Sequence, residues 1–259
     1  MGFMKIASKV INKLFGNVQM CSAVIAAAGM AYRMNGDDKL FKKINGIPVI
    51  VHTLKAFQNC DKIFEIIVVT REDSVDKVKE LCAEYGISKV SKIVLGGSTR
   101  SESVLNGITA ISKKASLVAI HDAARPCVEN SIIEEAIVKA NKFKAAAPGI
   151  PITSTIKKVK DGLIVKTVDR ESLVEIQTPQ VFDADLIKGA LSNVKKKSLA
   201  ITDDCMAVEL LGVNVYTTEG SRDNVKLTTR EDFGLVETIL SRRGTEVEPH
   251  QATGKVDSK

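Results

Sequence analysis

The sequence of 259 residues contains no tryptophan, and only 4% of its residues are aromatic. Proteins that bind single-stranded nucleic acid stack bases on aromatic side chains. We therefore expect no nucleic-acid partner, although the formal net charge is +6. An excess of positive charge in a chain of ordinary globular composition fits a small ligand that is rich in phosphate.

Cysteine motifs and long apolar runs are also missing. The five cysteines are scattered, and no two of them form a C-x-x-C pair. An odd, dispersed set is typical of reduced thiols in the cytoplasm and not of disulfides or a zinc site. No apolar run approaches the roughly 20 residues that cross a bilayer. We expect a cytoplasmic protein without stable membrane insertion.

The two ends of the chain differ from the rest. Apolar residues at helical spacing, with lysines on another face, predict a short amphipathic extension over residues 1–20. This extension would lie on a membrane surface. Alternatively, it is a helix docked on the domain or a frayed extension, and the shortness of the run favours this alternative. Residues 244–259 are polar and without period, and we expect a disordered tail there. The remaining domain spans residues 21–243.

Strand and helix patterns alternate along this domain. Continuous apolar runs at Ile63–Thr70 and Val90–Leu95 predict buried strands, and residues 75–85 between them have the period of a helix. This alternation predicts an α/β fold, with a mostly parallel sheet built by right-handed crossovers. Near the end of the domain, Lys226 is expected on a short strand before the last helix.

One segment departs from this pattern. Residues 155–160 and 163–168 alternate with period two around Asp161-Gly162, which predicts a β-hairpin with a tight turn. The inserted β-arm, at about residues 151–175, has apolar positions that need a surface to pack on. A second copy of the chain would supply one, which predicts a homodimer.

Residues 23–39 read AVIAAAGMAYRMNGDDK and predict a strand followed by an anion-binding loop. Small side chains leave backbone N–H groups open to an anion, and Arg33 and Lys39 add the charge that a triphosphate needs. Neither the Walker A pattern nor G-x-G-x-x-G is present. A glycine turn with two solvated cations is the alternative.

Two later strand ends carry further candidates. In GGSTRSES, Gly97 and Ser103 could contact a base or ribose, or the loop is a turn that caps a helix. In HDAARP, Asp122 and Arg125 are costly to bury without a function. Asp122 could orient a metal, a water or a hydroxyl, and Arg125 could hold a phosphate. A structural ion pair is the alternative, and His121 is expected to be a packed, hydrogen-bonded residue.

These motifs occur in the order of one known family. AAAGMAYRM, GGSTRSESV, HDAARP, TVDR, QTPQ, ITDD and GSRDNVKLT resemble the 2-C-methyl-D-erythritol 4-phosphate cytidylyltransferases over about residues 22–243. The resemblance implies a Rossmann-like nucleotidyltransferase fold and a homodimer through the β-arm. It also implies CMP transfer from CTP to methylerythritol phosphate, a polyol phosphate, with Mg²⁺ or another divalent cation carried mainly on the CTP phosphates.

The resemblance also implies roles for individual residues. The catalytic set comprises Arg33, Lys39 and Lys226, and the nucleotide-binding set Ala27, Gly29, Gly97, Ser103 and Asp122. The substrate-binding set comprises Arg125, Thr155, Thr178 and Arg170, with Arg170 reaching across the dimer interface. Asp122 is the one protein ligand implied for the metal. A phosphate monoester is already an anionic nucleophile, so the reaction needs positioning and charge neutralisation and no general base.

The sequence departs from the family pattern at two places and leaves two rival functions open. Ser98 stands where the family usually has Asp, and Asp38-Lys39-Leu40 replaces a usual Pro-Lys-Gln in a loop that is one residue shorter. A ribitol 5-phosphate cytidylyltransferase would share the nucleotide half, although TVDR and ITDD favour the first family. A non-catalytic nucleotide-binding module is the rival from another class.

Overall fold

The computed structural model describes residues 20–29 and 38–245. Arg33, almost all of the predicted N-terminal extension and residues 246–259 lie outside the described residues. The strands, in chain order, are β1 Cys21–Ala26, β2 Lys43–Ile44, β3 Ile47–Pro48, β4 Ile63–Thr70, β5 Val90–Leu95, β6 Leu117–Asp122, β7 Ala145–Pro151, β8 Ile156–Lys160, β9 Leu163–Val168, β10 Val174–Ile176, β11 Gln180–Asp183 and β12 Tyr216–Glu219.

The helices pack on both faces of the sheet. They are α1 Val49–Gln58, α2 Val75–Glu84, α3 Arg100–Ala110, α4 Asn130–Phe143, α5 Ala184–Lys197, α6 Asp204–Glu209 and α7 Glu231–Thr245. The last helix includes Gly244 and Thr245, where the sequence predicts the start of the tail. Within the described residues, none of the helices has the length and apolar character needed to cross a bilayer.

An eight-stranded sheet forms the centre of the fold. Its main order is β5-β4-β1-β6-β11-β7, and β10 and β12 also pair with β7. β10 and β11 run antiparallel to their neighbours, and the other pairings are parallel. The predicted α/β fold with a mostly parallel sheet is confirmed.

The two faces of the sheet carry separate cores because successive side chains of a strand point to opposite sides. On β1, Ile25 packs with Phe57 and Ile66 in one core. Val24 packs with Val69 and other residues in the second core. Helices cover both faces, so the central strands are apolar throughout, as parallel strands usually are.

The predicted β-arm is a separate two-stranded hairpin of β8 and β9. Asp161 and Gly162 both have positive φ, 50° and 80°, which fits the tight two-residue turn that the sequence predicts. Large apolar side chains on the arm are more than half exposed, namely those of Val159, Leu163, Ile164 and Val165. An exposed apolar group of this kind is typical of a surface that meets a partner.

The prediction of a strand at Lys226 is wrong. Residues 220–230 contain no strand and form a loop that crosses the end of the sheet. Asn224 is fully buried in this loop and donates through Nδ2 to the carbonyl of Thr178. The backbone N–H of Leu227 donates to the carbonyl of Ala124. Tertiary hydrogen bonds thus fix the loop without a neighbouring strand.

Helix α3 packs closely on the sheet at Gly107, which allows a first prediction. A Cβ atom there would lie 2.5 Å from Val24 Cγ1 and 2.7 Å from Val69 Cγ2. We expect Gly107→Ala to lower the free energy of unfolding by about 1–3 kcal/mol through overpacking. Gly189→Ala is the control, because nothing lies within 4 Å of its Cβ position in α5. Urea unfolding should show Gly189→Ala at or above wild-type stability. Equal stability of the two variants would contradict this packing.

Candidate functional site

The candidate site lies at one edge of the sheet. The parallel strands β1, β5 and β6 end there, followed by the loops that contain Ala27 and Gly29, Gly97, and Arg125 respectively. In open α/β sheets, ligands bind outside the carboxyl ends of the strands. The fold therefore brings the three loops singled out in the sequence to one edge.

The loops after β1 and β5 touch each other. The N–H of Ala27 donates to the carbonyl of Val69 at 2.7 Å. The N–H of Gly97 donates to Ser103 Oγ at 3.0 Å, and that hydroxyl donates to the carbonyl of Thr99. At Gly96 a Cβ atom would lie 2.4 Å from the Cβ of Ala28, so only glycine fits this approach.

Ser98 and Asp38, the two departures from the family pattern, both have internal partners. The N–H and hydroxyl of Ser98 donate to the carboxylate of Glu102. Asp38 Oδ2 lies 2.5 Å from Arg71 Nη2, and Arg71 Nη1 donates to the carbonyl of Gly29 at 3.3 Å. Arg71 thereby joins the chain on both sides of residues 30–37.

Asp122 is the centre of a charged cluster. Its Oδ2 lies 2.8 Å from Lys226 Nζ and 3.9 Å from Arg125 Nε, and its Oδ1 lies 3.3 Å from Arg100 Nη2. The side chain of Asp122 is 11% exposed and that of Lys226 is 42% exposed. One buried carboxylate thus holds three cations, of which Lys226 extends furthest into solvent.

The electrostatics of Asp122 follow from these contacts. Burial alone would raise the pKa of Asp122, but the charges of Arg100 and Lys226 outweigh burial and hold that pKa well below its ordinary value. Asp122 is therefore ionised at neutral pH and needs its cations. Burial also lowers the pKa of Arg125, against the opposing effect of Asp122.

Thr178 and His121 support Asp122 from the interior. Thr178 Oγ1 accepts from the N–H of Asp122 at 3.2 Å and lies 2.9 Å from His121 Nδ1. His121 is fully buried, and its Nε2 lies 3.3 Å from the carbonyl of Arg125. Burial lowers the pKa of His121 to about 3. The prediction that His121 is a packed, hydrogen-bonded residue is confirmed.

A cavity of about 460 Å³ opens beside the cluster. Arg125, Arg222 and Lys226 line it together with Glu175, Gln177 and Asn224. Arg125 Nη1 donates to the carbonyl of Asn224 at 2.7 Å, which fixes one of the cations in the wall. A cavity with three cations and one carboxylate in its wall suits an anion that also carries hydroxyl groups.

The remaining predicted residues lie around this cavity or away from it. Lys39 Nζ donates to the carbonyl of Leu227 at 2.6 Å, next to Lys226 in the chain. Thr155 and Arg170 do not line the cavity. Both are exposed at the base of the arm, where Arg170 donates to the carbonyl of Thr153. Within one chain, the structure gathers Asp122, Arg125, Thr178 and Lys226.

The sequence interpretation missed three residues of the site. Arg100 contacts Asp122 and also lies 2.9 Å from the fully buried Asp204. Asn224 holds both Arg125 and Thr178. Arg100 and Asp204 lie inside the motifs GGSTRSES and ITDD, so the sequence pointed to both segments. It did not show that these two side chains are in contact.

The arrangement around Asp122 does not suit a metal held by the protein. Within residues 20–29 and 38–245, no three or more His, Cys, Asp or Glu side chains form a group that could hold a metal ion. Both oxygens of Asp122 already face cations, and a dication at the same oxygens would be repelled by them. The implied role of Asp122 as a metal ligand does not fit these contacts.

Comparison with known proteins identifies the family of the chain. The family profile described as 2-C-methyl-D-erythritol 4-phosphate cytidylyltransferase matches residues 21–242. A protein of that name from Clostridium botulinum (strain Loch Maree / Type A3) is 44% identical over 223 residues, which cover 85% of this chain and 97% of the relative. Another, from Clostridium perfringens (strain SM101 / Type A), is 45% identical over 220 residues, or 84% and 97% of the two chains.

Solved structures agree as well. The 4-diphosphocytidyl-2C-methyl-D-erythritol synthase of Anaerococcus prevotii superimposes with a TM-score of 0.78 at 29% identity, covering 87% of this chain and 98% of the other. The 2-C-methyl-D-erythritol 4-phosphate cytidylyltransferase of Thermus thermophilus gives a TM-score of 0.71 at 29% identity, covering 85% and 98%. With its sheet order, its loops and these matches, the chain belongs to the 2-C-methyl-D-erythritol 4-phosphate cytidylyltransferase family.

Proposed function

We propose that the protein transfers CMP from CTP to 2-C-methyl-D-erythritol 4-phosphate, with release of pyrophosphate and formation of 4-diphosphocytidyl-2-C-methyl-D-erythritol. The observation that carries the proposal is the cluster of Arg100, Arg125 and Lys226 around Asp122, beside a cavity of about 460 Å³. The family of the chain supplies the chemistry, and the cavity supplies a cationic site for the polyol phosphate.

The two substrates take different parts of the edge. CTP lies along the loops after β1 and β5, with Ala27, Gly29, Gly97 and Ser103 around the base and ribose. Methylerythritol phosphate enters the cavity, where Arg125 and Lys226 line the wall. Thr178 does not line the cavity and acts on the site through its hydrogen bond with the N–H of Asp122. Asp122 lies between the two sites, because it is the last residue of β6 and holds cations that line the cavity.

Charge neutralisation and positioning then account for the reaction. An oxygen of the acceptor phosphate attacks the α-phosphorus of CTP, the P–O bond to the β-phosphate breaks, and pyrophosphate leaves. Lys226, held by Asp122, offsets the repulsion between the two phosphates. Arg33 and Lys39 stabilise the charge of the transition state. Mg²⁺, or another divalent cation, accompanies the triphosphate, since the residues at Asp122 do not suit a protein-held ion.

The test is pyrophosphate release from CTP with magnesium, with methylerythritol 4-phosphate and ribitol 5-phosphate offered in separate reactions. We expect release with the first acceptor alone. Release with ribitol 5-phosphate alone would keep the mechanism and overturn the acceptor. Binding of CTP without turnover in either reaction would favour the non-catalytic nucleotide-binding module. A reaction with EDTA in place of magnesium tests the divalent cation.

We further propose that the protein is a cytoplasmic homodimer joined through the β-arm. Exposed apolar side chains on the arm, such as Leu163 and Ile164, favour a partner surface. The five cysteines are free and buried or half-buried, which suits a reducing compartment. In the dimer, Arg170 and Thr155 of one copy reach the acceptor site of the other.

A complementation experiment tests the role of Arg170. We expect Arg170→Ala to raise the KM for the acceptor by about 10- to 100-fold, because a charged hydrogen bond is lost. Mixing the Arg170→Ala protein with the Lys226→Gln protein should restore activity. One of the two sites in each mixed dimer then has Lys226 from one copy and Arg170 from the other. Each variant alone is the control. A mixture no more active than its components would place Arg170 in its own subunit's site or outside any site.

A further inference from the structure

Asp204 is a buried carboxylate that the proposed transfer reaction does not use. It is 0% exposed, at the first residue of α6, and its backbone N–H donates to Gln180 Oε1. Its Oδ2 lies 2.9 Å from Arg100 Nη1. Burial raises the pKa of Asp204, although Arg100 opposes this effect. A buried charge is costly to keep unless its partner is well placed.

Arg100 connects this carboxylate with the site. Its Nη1 lies 2.9 Å from Asp204 Oδ2, and its Nε and Nη2 lie 3.4 Å and 3.3 Å from Asp122 Oδ1. The charges of Asp204 and Asp122 keep the pKa of Arg100 above its ordinary value, although burial acts against them. Because the guanidinium is planar and rigid, two carboxylates at two of its edges fix its orientation.

The four side chains form a continuous chain of contacts from the interior to the cavity. Asp204 holds Arg100, Arg100 holds Oδ1 of Asp122, and Oδ2 of Asp122 holds Lys226. The exposed fractions of these side chains are 0% for Asp204, 34% for Arg100, 11% for Asp122 and 42% for Lys226.

We propose that Arg100, held by Asp204, is a positioning residue that orients Asp122 and through it Lys226. The proposal rests on the proposed function, and it deepens that function by adding two residues to the site. Asp204 also restrains Arg100 from turning towards the phosphates of a ligand. Charges that are fixed before the substrate binds need no reorganisation during the reaction.

Steady-state kinetics provide the first test. We expect Arg100→Gln to lower kcat by about 100-fold, as misplacement of a reacting group does, with the KM for CTP changed by less than about threefold. Arg100→Lys should recover part of kcat, since an ammonium cannot meet both carboxylates in the same geometry. Asp204→Asn should lower kcat by about tenfold. Lys79→Gln removes an exposed charge paired with Asp76 and is the control.

A double-mutant cycle separates a positioning role from an independent one. If Arg100 acts through Asp122, the variant with both Arg100→Gln and Asp122→Asn should be no slower than Asp122→Asn alone. If the two losses multiply, Arg100 acts independently and the proposal is overturned. If the wild type turns over and Arg100→Gln has the same kcat, the proposal is overturned as well.

A readout without turnover completes the test. Lysines labelled by reductive ¹³C-methylation give NMR signals, and Lys226→Arg identifies that of Lys226. We expect this signal to shift in Arg100→Gln and Asp204→Asn and to stay in place in Lys79→Gln. An unmoved signal in the first two would overturn the proposal. If the wild type shows no cytidylyl transfer, the proposed function fails, while the NMR signal still decides whether Arg100 positions Lys226.

Discussion

Replacing Lys226 with Gln is expected to lower kcat for pyrophosphate release by a factor on the order of 10²–10³. Lys226 Nζ lies 2.8 Å from Asp122 and lines the cavity, so its charge stands where two phosphates must approach each other. Glutamine keeps much of the side chain's length but removes the charge. The measurement is the initial rate of pyrophosphate release at saturating CTP and methylerythritol phosphate.

Stability and a conservative variant separate this effect from misfolding. Lys226 is 42% exposed, and Asp122 keeps its contacts with Arg100 and Arg125 in the variant, so the free energy of unfolding should fall by no more than about 1 kcal/mol. Lys226→Arg should retain more activity than Lys226→Gln because it keeps the charge. A Lys226→Gln variant with wild-type kcat would remove Lys226 from the catalytic set.

The second large effect is on stability in acid, through His121. The folded protein holds the pKa of His121 at about 3, whereas an unfolded histidine titrates near 6.5. Between these values the unfolded chain binds the additional proton, so the free energy of unfolding falls as the pH falls from 6.5 towards 3. The slope is about 1.4 kcal/mol per pH unit, which gives a loss on the order of a few kcal/mol by pH 4.

The variant His121→Asn tests this linkage. At pH 7 it should be less stable than wild type, because it loses the ring that packs 4.9 Å from Phe57. The variant has no group that titrates near pH 6.5 at this position. The difference in free energy of unfolding between wild type and the variant should therefore narrow steadily as the pH falls to 4. Urea unfolding at several pH values measures both curves.

The environment of His121 and a second histidine provide the controls. Asp122 and Arg125 face His121 in both proteins, so their own titrations cancel in the comparison. His52→Asn should give a smaller change in slope, since His52 is only half-buried and its Nε2 donates to the carbonyl of Ile44. Parallel curves for wild type and His121→Asn would show that the folded protein does not lower the pKa of His121.

Local patterns were sufficient for much of the fold. The strand β4 coincides with the predicted Ile63–Thr70, because a short continuous apolar run between polar residues is typical of a buried strand. The hairpin turn at Asp161-Gly162 was predictable because both positions need a positive φ, which these residues tolerate. The prediction of a strand at Lys226 was wrong, because hydrogen bonds with distant segments fix residues 220–230 as a loop.

Local periodicity and ordered motifs were therefore enough to predict the α/β class, the hairpin of the arm and the family, and to name most of the candidate residues. Tertiary structure decided which of those residues meet. Arg100 and Asp204 are far apart in the chain and in contact in the fold, as are Asp122 and Lys226. Their pairing depends on the order of strands in the sheet and on the path of each loop, and no local pattern of side chains encodes either of these.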